Sequence, residues 1–232
     1  MSRSSSPHQA DRRSAPTVGA FFDVDNTLLP GEASEVRFFR YLWQRGVVGL
    51  REAVESLWCL LRHVPPVSFQ PLRLKKLYLA GKRPAEIEPL AEAFCRTHLI
   101  PRLSAEAMDQ VDRHRRAGHR LVLVTGSLEC LIKPMADFLR VETVIAARLE
   151  EGLSGYTGRL LPPLPYADGK RALIEAHAKE HGVDLSASYA YGDSPGDVEL
   201  LEVVGHPTVV NPIRGMARIA KHRGWPVNRW AS

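Results

Sequence analysis

Cysteine is scarce in this chain of 232 residues. The three present, Cys59, Cys95 and Cys130, lie far apart and form neither a CxxC pair nor a zinc-ligand spacing. That argues against a disulfide scaffold or a thiolate metal centre and suits a reducing compartment. Long apolar runs are also missing: a membrane-spanning helix needs about 18 or more such residues, and the nearest candidate, residues 54–64, is broken by Glu55, Arg62 and His63. No transmembrane segment is expected. The N-terminus, MSRSSSPHQADRRSAPT, is polar and holds no apolar stretch of about 7 to 15 residues, so nothing supports export and a cytoplasmic location is expected. Acidic residues are absent from the last 22 positions, which carry Arg214, Arg218, Lys221, Arg223 and Arg229. Such a segment attracts any anion without choosing among them. A solvated basic helix is the expectation, with no specific nucleic-acid partner.

What is present is a hydrophobic content of 44%, enough for a core domain with an insertion. Residues 1–17 are polar and aperiodic and read as a flexible tail. A short apolar strand at 18–22 follows and ends at Asp23. From residue 32 the period changes: Val36, Phe39, Leu42 and Trp43 recur at helical spacing, as do Val54, Leu57, Trp58 and Leu61. Past Pro65, Pro66 and Pro71, two more helices are expected at 72–79 and 84–98. Strands and helices then alternate. Ser104 caps a helix to about residue 116, a strand covers 121–124, a helix 128–139, a strand 141–146 and a hairpin 152–160. A helix at 168–182, a strand at 188–191, a helix at 195–203 and a strand at 207–210 complete the series. The fold class expected is α/β, a Rossmann-like parallel sheet core with an inserted, mainly helical cap. Residues 18–30 and 101–232 would form a discontinuous catalytic core and 31–100 the cap. The aromatic residues of that cap, Phe38, Phe39, Tyr41, Trp43, Trp58 and Phe69, fit helix packing better than a substrate channel. Oligomeric state is not legible.

Four segments carry polar residues at strand ends or the adjoining helix starts. In FFDVDNT, Asp23 and Asp25 would share one face if the strand continues, and close carboxylates repel unless a proton or cation resolves the conflict. In LVLVTGS, Thr125, Gly126 and Ser127 follow an apolar strand where a helix start could hold an anion; a capping turn explains them equally well. Lys170, in ADGKRAL, stands near a helix start, against the usual electrostatic preference. Asp193 and Asp197, in YGDSPGD, lie one helical turn apart and could offer oxygen ligands to a hard cation. Each segment alone has a bland structural explanation. All four together, each at the C-terminal end of an expected strand or the adjoining helix start, require several coincidences.

FDVDNT, VTGS, the glycine–lysine pair and GDSPGD stand in the order found in the haloacid dehalogenase superfamily, and residues 19–225 resemble its phosphoserine phosphatase-like branch. The resemblance implies a magnesium-dependent phosphatase that hydrolyses a small phosphomonoester. Asp23 would be the nucleophile and Asp25 the general acid and base. Thr125, Gly126 and Lys170 would bind phosphate; Asp23, Asp25, Asp193 and Asp197 would form the metal site. Glu32, nine residues after Asp23, matches a substrate-contact glutamate of phosphoserine phosphatases, although it equally suits the first turn of a helix. VTGS departs from the serine–glycine–glycine pattern common in those enzymes, and Arg51, Arg62 and Arg73 offer no secure counterpart of their carboxylate-binding arginine. Two other readings stay open: a phosphotransferase passing the same aspartyl-phosphate to an alcohol, and a non-catalytic anion-binding module.

Overall fold

The computed structural model describes residues 17–50, 54, 75–166 and 168–230. The expected tail apart from Thr17, and the helix carrying Leu57, Trp58 and Leu61, lie outside the described residues.

Apolar segments too short to be helices assemble into a parallel sheet. Its strands are β1 (Thr17–Phe22), β2 (Arg120–Leu128), β3 (Thr143–Ala147), β6 (Val183–Gly192), β7 (His206–Val210) and β8 (Val227–Asn228), in the order β3-β2-β1-β6-β7-β8. Strand periodicity divides the core between the two faces. Phe21, Val122, Val124, Ala190 and Val209 pack on one side with Ile174, Leu200, Leu201 and Met216. Ala20, Phe22, Leu121, Leu123, Tyr191 and Val210 pack on the other with Phe38, Leu42, Phe94 and Leu131. A sheet buried on both faces explains why its strands read as apolar runs.

The order of the sheet also locates the crevice. After β1 the chain builds β2 and β3 on one side, then returns to place β6, β7 and β8 on the other. Such a switch point opens a cleft at the carboxyl ends of the central strands.

Helices cover the sheet as the apolar periods require: α3 (Ala105–Arg116), α4 (Glu129–Phe138), α5 (Asp168–His181), α6 (Val198–Glu202) and α7 (Met216–Arg223), with α1 (Ser34–Gln44) and α2 (Pro84–Phe94) preceding them in the helical cap. The Ser104 side chain caps α3 by accepting the Ala107 N–H, as expected. In the cap, the Phe94 ring lies 5.4 Å from that of Phe38 and 4.9 Å from that of Tyr41, so the aromatic residues of α1 and α2 pack on one another.

Several expected bounds shift, β6 starting at Val183 and the hairpin at Leu149, and two changes bear on the cavity. The helix expected at 72–79 is, over its described part, an isolated bridge at Lys75 and a short turn at Leu77–Leu79. The antiparallel hairpin of β4 (Leu149–Gly152) and β5 (Gly155–Leu160) captures this backbone: the Lys76 N–H donates to Gly158 O at 2.7 Å and the Tyr156 N–H to Lys82 O at 2.9 Å. Tertiary pairing overrides the helical pattern. The second change is in β2, expected to stop at residue 124. It runs to Leu128 through a register shift after Val124, so Thr125, Gly126 and Ser127 sit on an irregular strand end instead of opening a helix. Among the described residues, no helix is long and apolar enough to cross a membrane.

Candidate active site

A cavity of about 530 Å³ opens where β1, β2 and β6 end, between the sheet and the cap. The core contributes Asp23, Asp25, Thr125, Gly126, Lys170, Asp193 and Asp197; Glu35 and Lys76 come from the cap side.

Asp23 directly follows β1, and its N–H extends the pairing with β6 by donating to Tyr191 O at 2.9 Å. The strand does not continue to Asp25. A turn intervenes, in which the Thr27, Leu28 and Leu29 N–H groups all converge on Val24 O. Both carboxylates still line the cavity, brought there by this turn and not by strand alternation.

Lys170, on the first turn of α5, is buried and reaches across the sheet end. Its Nζ donates to Asp23 Oδ1 at 2.7 Å, Asp197 Oδ1 at 2.5 Å and Val124 O at 3.3 Å. All three ammonium protons have acceptors. Burial alone would pull the lysine pKa down, yet the charges of Asp197 and Asp23 outweigh it and raise it.

Asp197 is held from both sides. Opposite Lys170, its Oδ2 accepts from the Ser194 hydroxyl at 2.9 Å and from the Ser194 and Asp193 N–H groups at 3.1 and 3.3 Å. Burial raises its pKa, but Lys170 and these donors prevail and hold it below the ordinary carboxylate value. This close approach needs Gly192, because a Cβ there would meet Asp197 Cβ at 2.6 Å.

Asp23 and Asp193 shift the other way. Burial, then the charge of Asp197, pushes Asp23 well above its ordinary value despite Lys170. Burial is also the main cause at Asp193, raised to about 7 although the Asn26 amide donates to its Oδ2 at 2.9 Å. Oxygens of Asp23, Asp193 and Asp197 all lie within 4.8 Å of one another. With every group ionised, three carboxylates face one ammonium and leave two negative charges uncompensated. A hard, oxygen-seeking divalent cation fits that donor set, and thiolate or imidazole ligands are missing from it.

The Asp25 carboxylate does not join this group. Its oxygens are taken by Ser34 and Ser127: Oδ1 accepts the Ser34 N–H at 2.7 Å, and Oδ2 accepts the Ser127 hydroxyl at 2.6 Å and the Ser34 hydroxyl at 3.1 Å. Asp25 thereby satisfies an N–H that the first turn of α1 would otherwise leave open. Thr125 is buried at the cavity wall, where its Oγ1 accepts the Ser127 N–H at 3.1 Å. Gly126 admits the ring of Tyr166, which a Cβ would strike at 2.2 Å. Glu32 is not brought to this cavity. It pairs with Arg40 at 2.9 Å in a separate hollow with Arg37 and His98.

Several residues here were not singled out from the sequence as site residues. Asn26 has a left-handed φ of 59° and spends its amide on Asp193 Oδ2 and Asn211 O, both at 2.9 Å. Its place beside two aspartates, in a residue type that tolerates this φ, was the available signal. Glu35 and Lys76 form a 2.5 Å ion pair whose members are far apart in sequence, so no local pattern marks them. Arg214 was counted with the basic C-terminal segment but lines the cavity. It follows β7, and the strand-end rule already applied to Asp193 would have found it.

Comparison with known proteins gives concordant matches. The model of the haloacid dehalogenase-like hydrolase family matches residues 20–202. A Mycobacterium tuberculosis protein named "Probable phosphatase" is 31% identical, over 95% of this chain and 79% of its own length. A histidinol-phosphatase of Neisseria meningitidis serogroup C is 29% identical, over 90% of this chain and 96% of its own. The crystal structure of a Bordetella pertussis Tohama I protein superposes with a TM-score of 0.79 at 30% identity, covering 92% of this chain and 99% of that one. Phosphoserine phosphatases recur among further matches, in sequence and in fold.

Proposed function

This chain belongs to the haloacid dehalogenase-like hydrolases, and we propose that it is a magnesium-dependent phosphatase that hydrolyses a small phosphomonoester through an aspartyl-phosphate on Asp23. The observation that carries the reading is the bridge from Lys170 to Asp23 and Asp197, beside a third carboxylate, at the base of a cavity under the cap.

In this reading Asp23, Asp193 and Asp197 would hold a magnesium ion, with Asp197 acting chiefly through its bonds to Lys170 and Ser194. When bound, the ion supplies positive charge between these carboxylates and the phosphate. Asp23 attacks phosphorus while its Oδ1 stays oriented by Lys170, and the same ammonium stabilises negative charge on the transferring group. Thr125 and the backbone at Gly126 line the place where phosphate oxygens sit. Asp25 gives a proton to the departing ester oxygen, then takes one from the water that opens the aspartyl-phosphate. The cap, proposed to span residues 31–100 over a core of 18–30 and 101–232, limits bulk water and shapes the leaving-group pocket through Glu35 and Lys76. The volume of about 530 Å³ suits a metabolite-sized ester.

The test is phosphate release from a panel of phosphomonoesters that includes histidinol phosphate and phosphoserine, the substrates carried in the relatives' names. Each is assayed with magnesium, with excess chelator, and with magnesium plus an alcohol acceptor. Magnesium-dependent release unaffected by the alcohol is expected. Full activity in chelator, or phosphorylated alcohol as the main product, refutes the proposal.

A further inference from the structure

We propose that Ser34 and Ser127 are positioning residues that hold Asp25 for proton transfer; the inference rests on the acid–base role just given to Asp25. Both serines are buried, at 0% and 3% exposure, and both spend their hydroxyls on the same carboxylate. Ser127 is also, with Thr125, one of the two residues at which this chain departs from the serine–glycine–glycine pattern, and glycine would place no hydroxyl there.

The geometry distinguishes the two oxygens of Asp25. Oδ2 receives the Ser127 hydroxyl at 2.6 Å and the Ser34 hydroxyl at 3.1 Å, and the two hydroxyls lie 2.9 Å from each other. Oδ1 receives one donor, the Ser34 N–H at 2.7 Å. Two hydroxyl protons serve the three oxygen–oxygen contacts here, and with both directed to the carboxylate, Oδ2 has no lone pair left for a proton of its own. Oδ2 is thereby reserved as an acceptor, and Oδ1 becomes the oxygen that carries the transferable proton. As the bond from Asp23 to phosphorus forms and the ester P–O bond breaks, the proton on Oδ1 passes to the departing oxygen. In the second half, water loses a proton to Oδ1 as its oxygen bonds to phosphorus, and the carboxylate of Asp23 is released. Neither step requires Asp25 to rotate, because the donors from Ser34 and Ser127 suit its neutral and ionised forms alike.

The two serines also come from different parts of the fold. Ser34 opens α1 and Ser127 lies near the end of β2. Asp25 is therefore oriented only while the first cap helix is seated on the sheet, which couples cap placement to proton transfer.

The experiment measures kcat and KM with magnesium, on an alkyl phosphate and on p-nitrophenyl phosphate, whose leaving group needs little protonation. The variants are Ser34→Ala, Ser127→Ala, Ser127→Thr, Asp25→Asn and the double variant Ser127→Ala/Asp25→Asn. The burst of p-nitrophenol that accompanies phosphorylation of Asp23, which precedes the water step common to both esters, serves as the measure of correctly folded enzyme. Ser127→Ala should lower kcat on the alkyl ester by about 10- to 100-fold, inside the ~10²–10⁴-fold ceiling of general acid–base catalysis. Its KM and its p-nitrophenol burst should stay within about threefold, and Ser127→Thr should recover most of the loss. Ser34→Ala keeps its N–H on Oδ1 and should lose less. In the Asp25→Asn background, Ser127→Ala should add nothing, since its action passes through Asp25. Equal losses in alkyl turnover and in the aryl burst, an additive loss in the double variant, or no loss in Ser127→Ala overturns the inference while leaving the role of Asp25 intact. Undiminished alkyl turnover in Asp25→Asn removes the acid–base role itself, and the inference falls with it.

Discussion

At the scale of single residues, four side chains with similar chemistry are separated by their surroundings. Asp23, Asp25, Asp193 and Asp197 are all aspartates at one cavity, yet Lys170 bridges two of them, Asn26 touches a third and serine hydroxyls bind the fourth. Their duties follow. Asp23→Asn should keep the fold and lose covalent phosphorylation, since an amide is a poor nucleophile. Rapid quenching with labelled substrate and peptide mass spectrometry should find the label on Asp23 in the wild type and none in this variant; a label on Asp25, Asp193 or any hydroxyl would sink the assignment. Asp25→Asn should remain phosphorylatable and slow by about 10²–10⁴-fold on esters with poor leaving groups, with a smaller loss on an aryl ester. Lys170→Ala poses a different problem, because it leaves the carboxylates buried without their ammonium. Removing one partner of a buried pair costs roughly 3–5 kcal/mol. In chelator, the urea midpoint of this variant should fall accordingly, and magnesium should restore part of it by binding the folded state. An unchanged midpoint would mean that Lys170 does not balance this cluster.

At the scale of elements, what the sequence made legible depended on whether the cause was local. β1 and the Ser104 cap of α3 follow from an apolar run and a capping hydroxyl and stand where those signals put them, and the hairpin expected at 152–160 forms with its first strand starting earlier, at Leu149. The segment before Leu79 misled because its partner, β5, lies far along the chain, and periodicity carries no information about such pairing. The same holds in the site. Asp23, Asp193, Asp197 and Lys170 were legible at strand ends and the adjoining helix starts, whereas the serines on Asp25 depend on how the cap meets the sheet and the pair Glu35–Lys76 on a contact between distant parts of the cap. Glu32 was chosen by its spacing from Asp23, and the turn of chain before α1 directs it instead to Arg40. The strand-to-turn junction after β6 supports a prediction at this scale. Gly192→Ala would place a methyl 2.6 Å from Asp197 Cβ, so the loop must shift and carry Asp197 away from Lys170. The fold should survive, since the junction lies at the end of the strand, while the magnesium concentration for half-maximal activity should rise by about tenfold or more. A variant with wild-type magnesium dependence would show that the loop absorbs the methyl without moving the carboxylate.

At the scale of the whole molecule, the face of the sheet that carries Phe22 and Tyr191 also buries a histidine that does not line the cavity. His114, on α3, has 4% exposure; its Nε2 lies 2.8 Å from the Tyr191 hydroxyl and its Nδ1 2.7 Å from His119 Nδ1. Burial, followed by the charge of His119, lowers its pKa from 6.5 to about 4. The sign of the linkage is then fixed. Between these values the unfolded chain binds a proton that the folded chain refuses, so stability from this group is complete above pH 6.5 and is lost as pH falls toward 4. Other groups titrate in the same window. His177 is lowered by burial in the same direction, whereas Asp23 and Asp193 are raised and contribute with the opposite sign. A comparison with His114→Gln therefore isolates the histidine: glutamine keeps a polar partner for Tyr191 and does not titrate. Urea midpoints of both proteins, at constant magnesium, should differ most at pH 8. The wild-type advantage should shrink progressively through pH 6 and 5, and the variant should show the shallower dependence on pH. A gap that stays constant from pH 8 to pH 4.5 would mean that His114 takes up its proton equally in the folded and unfolded chain, and the aromatic face of the sheet would then play no part in acid sensitivity.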